Sequence, residues 1–180
     1  MIKDLFAGTA AAPKRPTRLT IYNFHRKVAE GLLPEIKMWS EGDIGPDEQV
    51  LEDLREILEK EAPDADGYTL ARAMERDGWY GVNSELVEIL DGAFSIAHSV
   101  EEDAVKEWVT ANEIKAPLVA GTMVKTKHGV GPIVSIMEDT AKYIVQTDRF
   151  LEKNPSQAGK ASGIVVAFED AELCPAEAAS

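Results

Sequence analysis

The spacing of apolar residues changes once along this chain, and that change limits the folds open to it. Between Leu19 and Val109 apolar residues recur three or four positions apart, as they do on one face of a helix. From Met123 onward they form short runs of β-branched and aromatic residues, which are typical of strands. The sequence therefore predicts an α+β fold, with an N-terminal helical body followed by a small antiparallel β-structure.

Several start and stop signals divide the helical part. Pro46, in a favoured first-turn position, precedes a clean apolar stripe, and Asn83 is a good N-cap for the longest helical pattern. Ser99 followed by Glu102 matches a capping box, so we expect that pattern to be two helices divided near His98.

The apolar runs of the C-terminal part predict five short antiparallel strands, which close best as a small barrel. Four of the strands are carried by the runs Met123–Val124, Ile133–Ile136, Tyr143–Val145 and Ile164–Phe168. A long polar loop from Asp148 to Ser162 separates the last strands from the others.

The order of motifs in this part resembles a small SH3-like barrel of the Tudor or KOW kind, found in transcription and repair factors. The motifs are "G-x-x-V" from Gly121, "HGVG", "IVSI", "YIV" and "VVAFEDAEL", which together cover residues 121 to about 174. Pro132 and the long loop depart from the tightest versions of that barrel. The resemblance implies a binding module. The helical part resembles no family.

Charge is unevenly distributed, and we expect three segments on that basis. Residues 1–18 are a flexible basic arm, residues 19–115 an acidic helical domain and residues 116–180 the barrel. Residues 42–112 hold nineteen Asp or Glu against five Lys or Arg, a net charge of −14. Such an acidic body repels nucleic-acid phosphates, although an acidic surface also simply favours solubility.

No motif for a catalytic, metal-binding or cofactor-binding site is complete, so we expect no site of these kinds. "NPSQAGKAS" lacks the first glycine of a phosphate loop and has Ala161 where Ser or Thr would bind magnesium. "DADGYTLARAME" places Tyr68 and Thr69 at positions that a calcium loop gives to a ligand and to glycine. The three histidines are isolated in sequence, and Cys174 has no recognisable base nearby.

Three groups of residues are candidates for binding. The first is a cationic patch on the barrel, formed by Lys125, Lys127, His128 and Lys142. Its alternative interpretation is a solvated strand face that lysine protects from edge pairing. The second is the Trp79-Tyr80 turn, which either seals the core or anchors a partner. The third is the arm, with Lys14, Arg15 and Arg18.

These observations leave three hypotheses for function. The first is a non-catalytic interaction protein whose helical body presents the barrel to a protein or a nucleic-acid-associated assembly. A phage or structural component belongs to this class. The second is an acidic nucleic-acid mimic that inhibits a DNA- or RNA-binding protein, and the third is a carboxylate-dependent enzyme. If the protein contacts nucleic acid directly, we expect the contact through the barrel lysines or the basic arm. A single cysteine, the absence of a signal peptide and the lack of a long apolar run predict a cytoplasmic protein without membrane contact.

Overall fold

The computed structural model describes residues 13–61, 65–79 and 81–174, and the chain divides into two compact units. The helical unit comprises residues Pro16–Ala104. The sheet unit comprises Val105–Ser180 together with Met1–Arg15. None of the helices in the described part of the chain has the length and apolar character that crossing a bilayer requires.

Five helices lie wholly or partly in the helical unit: α1 (Phe24–Trp39), α2 (Asp47–Lys60), α3 (Gly67–Arg76), α4 (Ser84–Asp91) and α5 (Ala93–Ala111). The predicted N-cap is confirmed, because the side chain of Asn83 accepts the backbone N–H of Leu86. Asp66 caps α3 in the same way by accepting the N–H of Thr69. Pro34 lies inside α1 without ending it.

The core of the helical unit follows the helical spacing of the sequence. Fully buried side chains lie four residues apart on α1 and again on α4, so that each helix turns one apolar stripe inward. The largest fully buried side chains of the helical unit, which also come from α2 and α3, are Leu32, Ile36, Leu54, Met74, Leu86 and Leu90.

The predicted helix break near His98 is wrong. α5 runs without interruption through Ser99 and Glu102, and the boundary between α4 and α5 lies instead at Gly92. Burial explains the difference. Ala93, Ala97, Val105 and Val109 are buried at spacings that one continuous helix satisfies, and this outweighs a local capping preference.

The sheet has five antiparallel strands in the order β4-β3-β2-β1-β5, which confirms the α+β class. They are β1 (Met123–Thr126), β2 (Gly129–Met137), β3 (Lys142–Val145), β4 (Ile164–Ala167) and β5 (Glu172–Leu173). The first half of β2 pairs with β1 and the second half with β3, with an irregularity between Ile133 and Ser135. Within the described residues β4 and β5 are edge strands, so the sheet is not closed.

The core of the sheet unit is built around Tyr143. This side chain is fully buried, its ring centre lies 4.4 Å from that of Phe168, and the valines of α5 from Val105 onward join the same cluster. The hydroxyl oxygen accepts the backbone N–H of Leu118 at 2.9 Å. Burial raises the pKa of the Tyr143 hydroxyl, and the hydrogen bond from Leu118 partly opposes that shift.

The segment between β3 and β4 is more ordered than the expected polar loop. It contains a short helix, α6 (Asp148–Lys153), and a 3₁₀ turn (Pro155–Gln157). The buried Gln146 organises it, because its Nε2 donates to carbonyl oxygens of Gln157, Lys160 and Ser162 while its Oε1 accepts the N–H of Gly159. Gly131 and Gly163 permit this arrangement, since a Cβ at either position would overlap the backbone of residues 145–147.

Candidate functional site

The predicted cationic patch of the barrel is divided in the structure. Lys125, Lys127 and His128 are exposed at the end of β1 and in the turn to β2. Lys125 lies opposite Val130 on β2 and Glu172 on β5. Lys142, by contrast, pairs with Met137 at the far end of β2, so the strand register separates it from the other three.

Two of the predicted candidates belong to the helical unit. Trp79 is half-buried and packs against the helical core, whereas Tyr80 lies outside the described residues. Arg18 forms an ion pair with Glu101 at 3.2 Å, and its guanidinium lies 5.9 Å from the ring centres of both Phe24 and Phe94.

Arg15 is held by several hydrogen bonds within the sheet unit. Its guanidinium donates to the carboxylate of Glu169 at 2.6 Å and to the carbonyl oxygens of Thr140 and Ala141 at 2.9 and 2.6 Å. Its side chain is only 16% exposed. The accepting carbonyls end a 3₁₀ turn (Glu138–Thr140), where Ala141 adopts a left-handed conformation. Arg15 therefore gives the Thr140 carbonyl a hydrogen-bond donor and gives the Ala141 carbonyl a second one, since the latter also accepts the backbone N–H of Phe168.

Beside Arg15 lies an apolar groove, which we name the Trp108 groove. Its cavity volume is about 340 Å³, and all its lining residues belong to the sheet unit. The apolar walls come from the end of α5, the connector that follows it and the turn after β4, while basic side chains stand at the rim. The lining residues are Pro13, Lys14, Arg15, Trp108, Ile114, Lys115, Pro117, Ala141, Phe168 and Glu169.

Trp108 carries an unsatisfied donor in this groove. Its Nε1 is buried and has no hydrogen-bond partner among the described residues. Trp39 differs, because its Nε1 donates to the side-chain oxygen of Asn83. A buried N–H without a partner costs free energy, and because this nitrogen has almost no accessible surface, an acceptor reaches it only if the side chains around it move. Thr140 Oγ1 is likewise unpaired, but Thr140 does not line the groove.

The rim of the groove carries side chains of both charges. Lys14 and Lys115 are exposed and form no ion pair within the described part of the chain. Glu113, Glu138 and Asp139 line an adjacent hollow together with Lys115. Arg15 and Glu169 form an ion pair, and the Arg15 guanidinium also lies 5.4 Å from the centre of the Trp108 ring. The groove thus combines an apolar floor with a rim of mixed charge.

The sequence located only part of this site. Lys14 and Arg15 are candidates because the arm is basic, whereas the sequence analysis does not single out Trp108, Lys115, Pro117 or Phe168. The available signal was the connector "EIKAP", in which a lysine and a proline interrupt the apolar spacing directly after the helix. The contact of that connector with Phe168 depends on the fold.

The described residues contain no group of three or more His, Cys, Asp or Glu side chains placed to hold a metal ion. Comparison of the chain with protein-family models, with curated proteins and with solved structures finds no match.

Proposed function

We propose that this chain is a non-catalytic interaction protein, and that its sheet unit binds a protein partner or a larger assembly through the Trp108 groove. One observation carries the proposal: the sheet unit has a concave, mostly apolar groove of about 340 Å³, with Trp108, Ile114 and Phe168 among its lining residues. Ligand sites are commonly concave, mostly apolar surfaces with a few polar groups that fix orientation, and this groove fits that description.

The proposal extends to the type of sheet. Four strands form a meander, a 3₁₀ turn (Phe168–Asp170) follows β4, and the short β5 returns to pair with β1. This connectivity supports an SH3-like barrel of the Tudor or KOW kind. A cytoplasmic component of a phage or structural assembly is consistent with such a module.

The acidic-mimic hypothesis receives less support from the geometry. A nucleic-acid mimic needs uncompensated carboxylates, but acidic side chains of α2 are paired with arginines. Arg26 binds Glu48 bidentately, and Arg55 binds Glu52 and Glu59. These pairs lower the pKa of the Glu48 and Glu52 carboxyls. Direct nucleic-acid binding through the arm is similarly weakened, because Arg15 and Arg18 are engaged within the chain.

Site-specific photo-crosslinking tests the proposal. A benzophenone amino acid replaces Lys115 at the groove rim of the full chain, and the matched control carries it at Lys153, which is exposed on α6. We expect the 115 probe to capture a protein from the host that the 153 probe does not, and Trp108→Phe to reduce that capture. Equal capture at both positions, insensitive to Trp108→Phe, would contradict a role for the groove.

A further inference from the structure

We infer that the Trp108 groove is occupied by a segment of the same chain, residues 2–6, with Leu5 and Phe6 as the anchoring side chains. This inference deepens the proposed function and rests on it, because a partner that binds the groove must then displace the segment. Three observations carry it: the place where the described chain begins, the apolar side chains of the segment and the charges of the rim.

The described part of the chain begins at the groove. Pro13, Lys14 and Arg15 are among the lining residues, and several hydrogen bonds hold Arg15 in place. Residues 1–12 are therefore attached at the rim, and they belong to the same unit as the groove. The stretch between Phe6 and Pro13 spans up to about 20 Å when extended, so Phe6 is able to reach back to any part of the floor.

The apolar floor needs a large apolar side chain to cover it. Trp108, Ile114 and Phe168 contribute to a groove of about 340 Å³ that no described side chain fills. In the segment that precedes Pro13, residues 7–12 read AGTAAA and carry only small side chains, whereas Leu5 and Phe6 lie just before them. Burial of these two side chains removes apolar surface from water on both sides of the contact, which is the main source of affinity.

Attachment to the rim makes a weak contact sufficient. A short flexible connection holds a segment at an effective concentration of about 1 mM, so a segment with a dissociation constant of about 100 µM as a free peptide occupies its site about 90% of the time. A competing partner then binds about 10-fold more weakly than it would bind the empty groove.

The charges of the segment suit a rim of mixed sign. Lys3 and Asp4 contribute one charge of each sign to the segment. At the rim Lys14 and Lys115 are exposed, and Glu113 lies beside Lys115 in the adjacent hollow. Because opposite charges are present on both sides and are exposed to solvent, charge contributes little to binding, and we expect occupancy to change little with ionic strength.

An internal photo-crosslink tests the inference without any partner. A benzophenone amino acid replaces Phe6 in the full chain, and peptide mapping after irradiation locates the link. We expect a link within one chain to Trp108, Ile114 or Phe168, with a yield that does not depend on protein concentration. Links only to residues outside the groove, or links between two chains whose yield rises with concentration, would overturn the inference, and the second result would assign the groove to another copy of the chain.

Matched variants assign the crosslink to the groove floor. Ile114→Ser should lower the yield from position 6 by at least about 5-fold, because it removes an apolar contact from the floor. Val165→Ser is the control, since Val165 is a β-branched residue that is exposed on the edge strand β4, and it should leave the yield unchanged. Equal yields from the two variants would overturn the inference.

The indole N–H signal of Trp108 gives a second readout in the absence of a partner. Leu5→Ser with Phe6→Ser in the full chain should shift this signal and leave the Trp39 signal, which belongs to the helical unit, in place. A control with Ala10→Ser and Ala11→Ser alters the same segment outside the anchors and should shift neither signal. A Trp108 signal that is the same in the anchor variant and the unchanged chain would overturn the inference.

Capture of a host protein by the benzophenone probe at position 115 separates this inference from the proposed function. We expect Leu5→Ser with Phe6→Ser to lower by about 10-fold the concentration of the chain that half-maximal capture requires. If capture is the same with and without the anchors, and the probe at position 6 makes no link to the groove, the inference fails while the proposed function stands. If position 6 links to the groove but position 115 captures nothing even in the anchor variant, the segment occupies the groove and the proposed function fails.

Discussion

The guanidinium of Arg15 lies 5.4 Å from the centre of the Trp108 ring while donating hydrogen bonds to the carbonyl oxygens of Thr140 and Ala141. One side chain therefore fixes the first described residues of the chain against both the last helical turns of α5 and the turn that precedes β3. Because Arg15 and Trp108 both line the groove, the contact that stabilises the sheet unit also shapes its candidate binding surface.

Replacing Arg15 by Gln should destabilise the sheet unit by about 1–3 kcal/mol, because two turn carbonyls and the Glu169 carboxylate lose a charged donor. Lys14→Gln is the matched control, since Lys14 is exposed and unpaired in the described structure, and it should change stability by less than about 0.5 kcal/mol. Urea unfolding of the two variants measures the difference. Equal stabilities would show that the Arg15 contacts contribute nothing net.

Gln146 offers a test of how the segment between β3 and β4 is held. Gln146→Glu keeps the shape of the side chain but replaces the amide donor by an oxygen that faces three carbonyl oxygens. We expect a loss of about 2–4 kcal/mol in the free energy of unfolding at neutral pH, more than for Gln146→Leu, because the carboxylate also repels those carbonyls. Part of the loss should be recovered at acidic pH, where a protonated Glu donates again. A Glu variant as stable as the Leu variant at every pH would contradict this account.

The sequence predicted those elements whose local and tertiary preferences agree. Asn83 caps α4 as expected, and the runs at Ile133 and Tyr143 lie on neighbouring strands because β-branched residues suit both the strand conformation and the buried face. Ser99 and Glu102 misled the helix assignment because their capping preference is local, whereas α5 continues as one helix from the buried Ala97 to the buried Val105.

The candidate site was harder to predict because it is assembled from distant segments. Arg15 meets Glu169 across 154 positions of sequence, and Gln146 meets Ser162 across a segment that reads as featureless polar loop. No periodic spacing of residues in the sequence indicates either of these contacts. Lys142 illustrates a different difficulty, since it was grouped with Lys125 as a residue of a neighbouring strand, whereas β2 lies between β1 and β3 and its register separates the two lysines.

Glu113 follows the end of α5 in a left-handed conformation, with φ at 50°. The N–H of Ile114 bonds the carbonyl of Val109, and that of Glu113 bonds Thr110, which is the pattern of a Schellman motif with Glu113 where glycine is favoured. Glu113→Gly should therefore stabilise the protein by about 1 kcal/mol relative to Glu113→Ala, which removes the charge but retains the strain. Thermal unfolding of the pair measures this. A Gly variant less stable than the Ala variant would refute it.

The N-cap of α3 should make the stability of the folded protein depend on pH. Hydrogen bonds from the Thr69 side chain and backbone N–H lower the pKa of the Asp66 carboxyl in the folded protein. The unfolded chain then binds the proton first, so the contribution of Asp66 is present at neutral pH and is lost as the pH falls below about 4. Asp66→Asn, which caps nearly as well, should leave stability at pH 7 almost unchanged and reduce its loss between pH 5 and pH 2. Urea unfolding at several pH values should show this smaller loss, and an identical pH profile for both proteins would be the contrary result.

The indole N–H resonances of the full chain test the groove most directly, since its three tryptophans, Trp39, Trp79 and Trp108, give separately assignable signals. A ¹⁵N–¹H spectrum is recorded while the host protein captured by the crosslinker at position 115 is added, with Trp108→Phe used for assignment. We predict that the Trp108 signal shifts, because its ring lines the groove, while the Trp39 signal, whose N–H is bonded to Asn83 in the helical unit, stays in place. A partner that binds while the Trp108 signal remains unchanged, or that moves the Trp79 signal instead, would contradict the assignment of binding to the Trp108 groove.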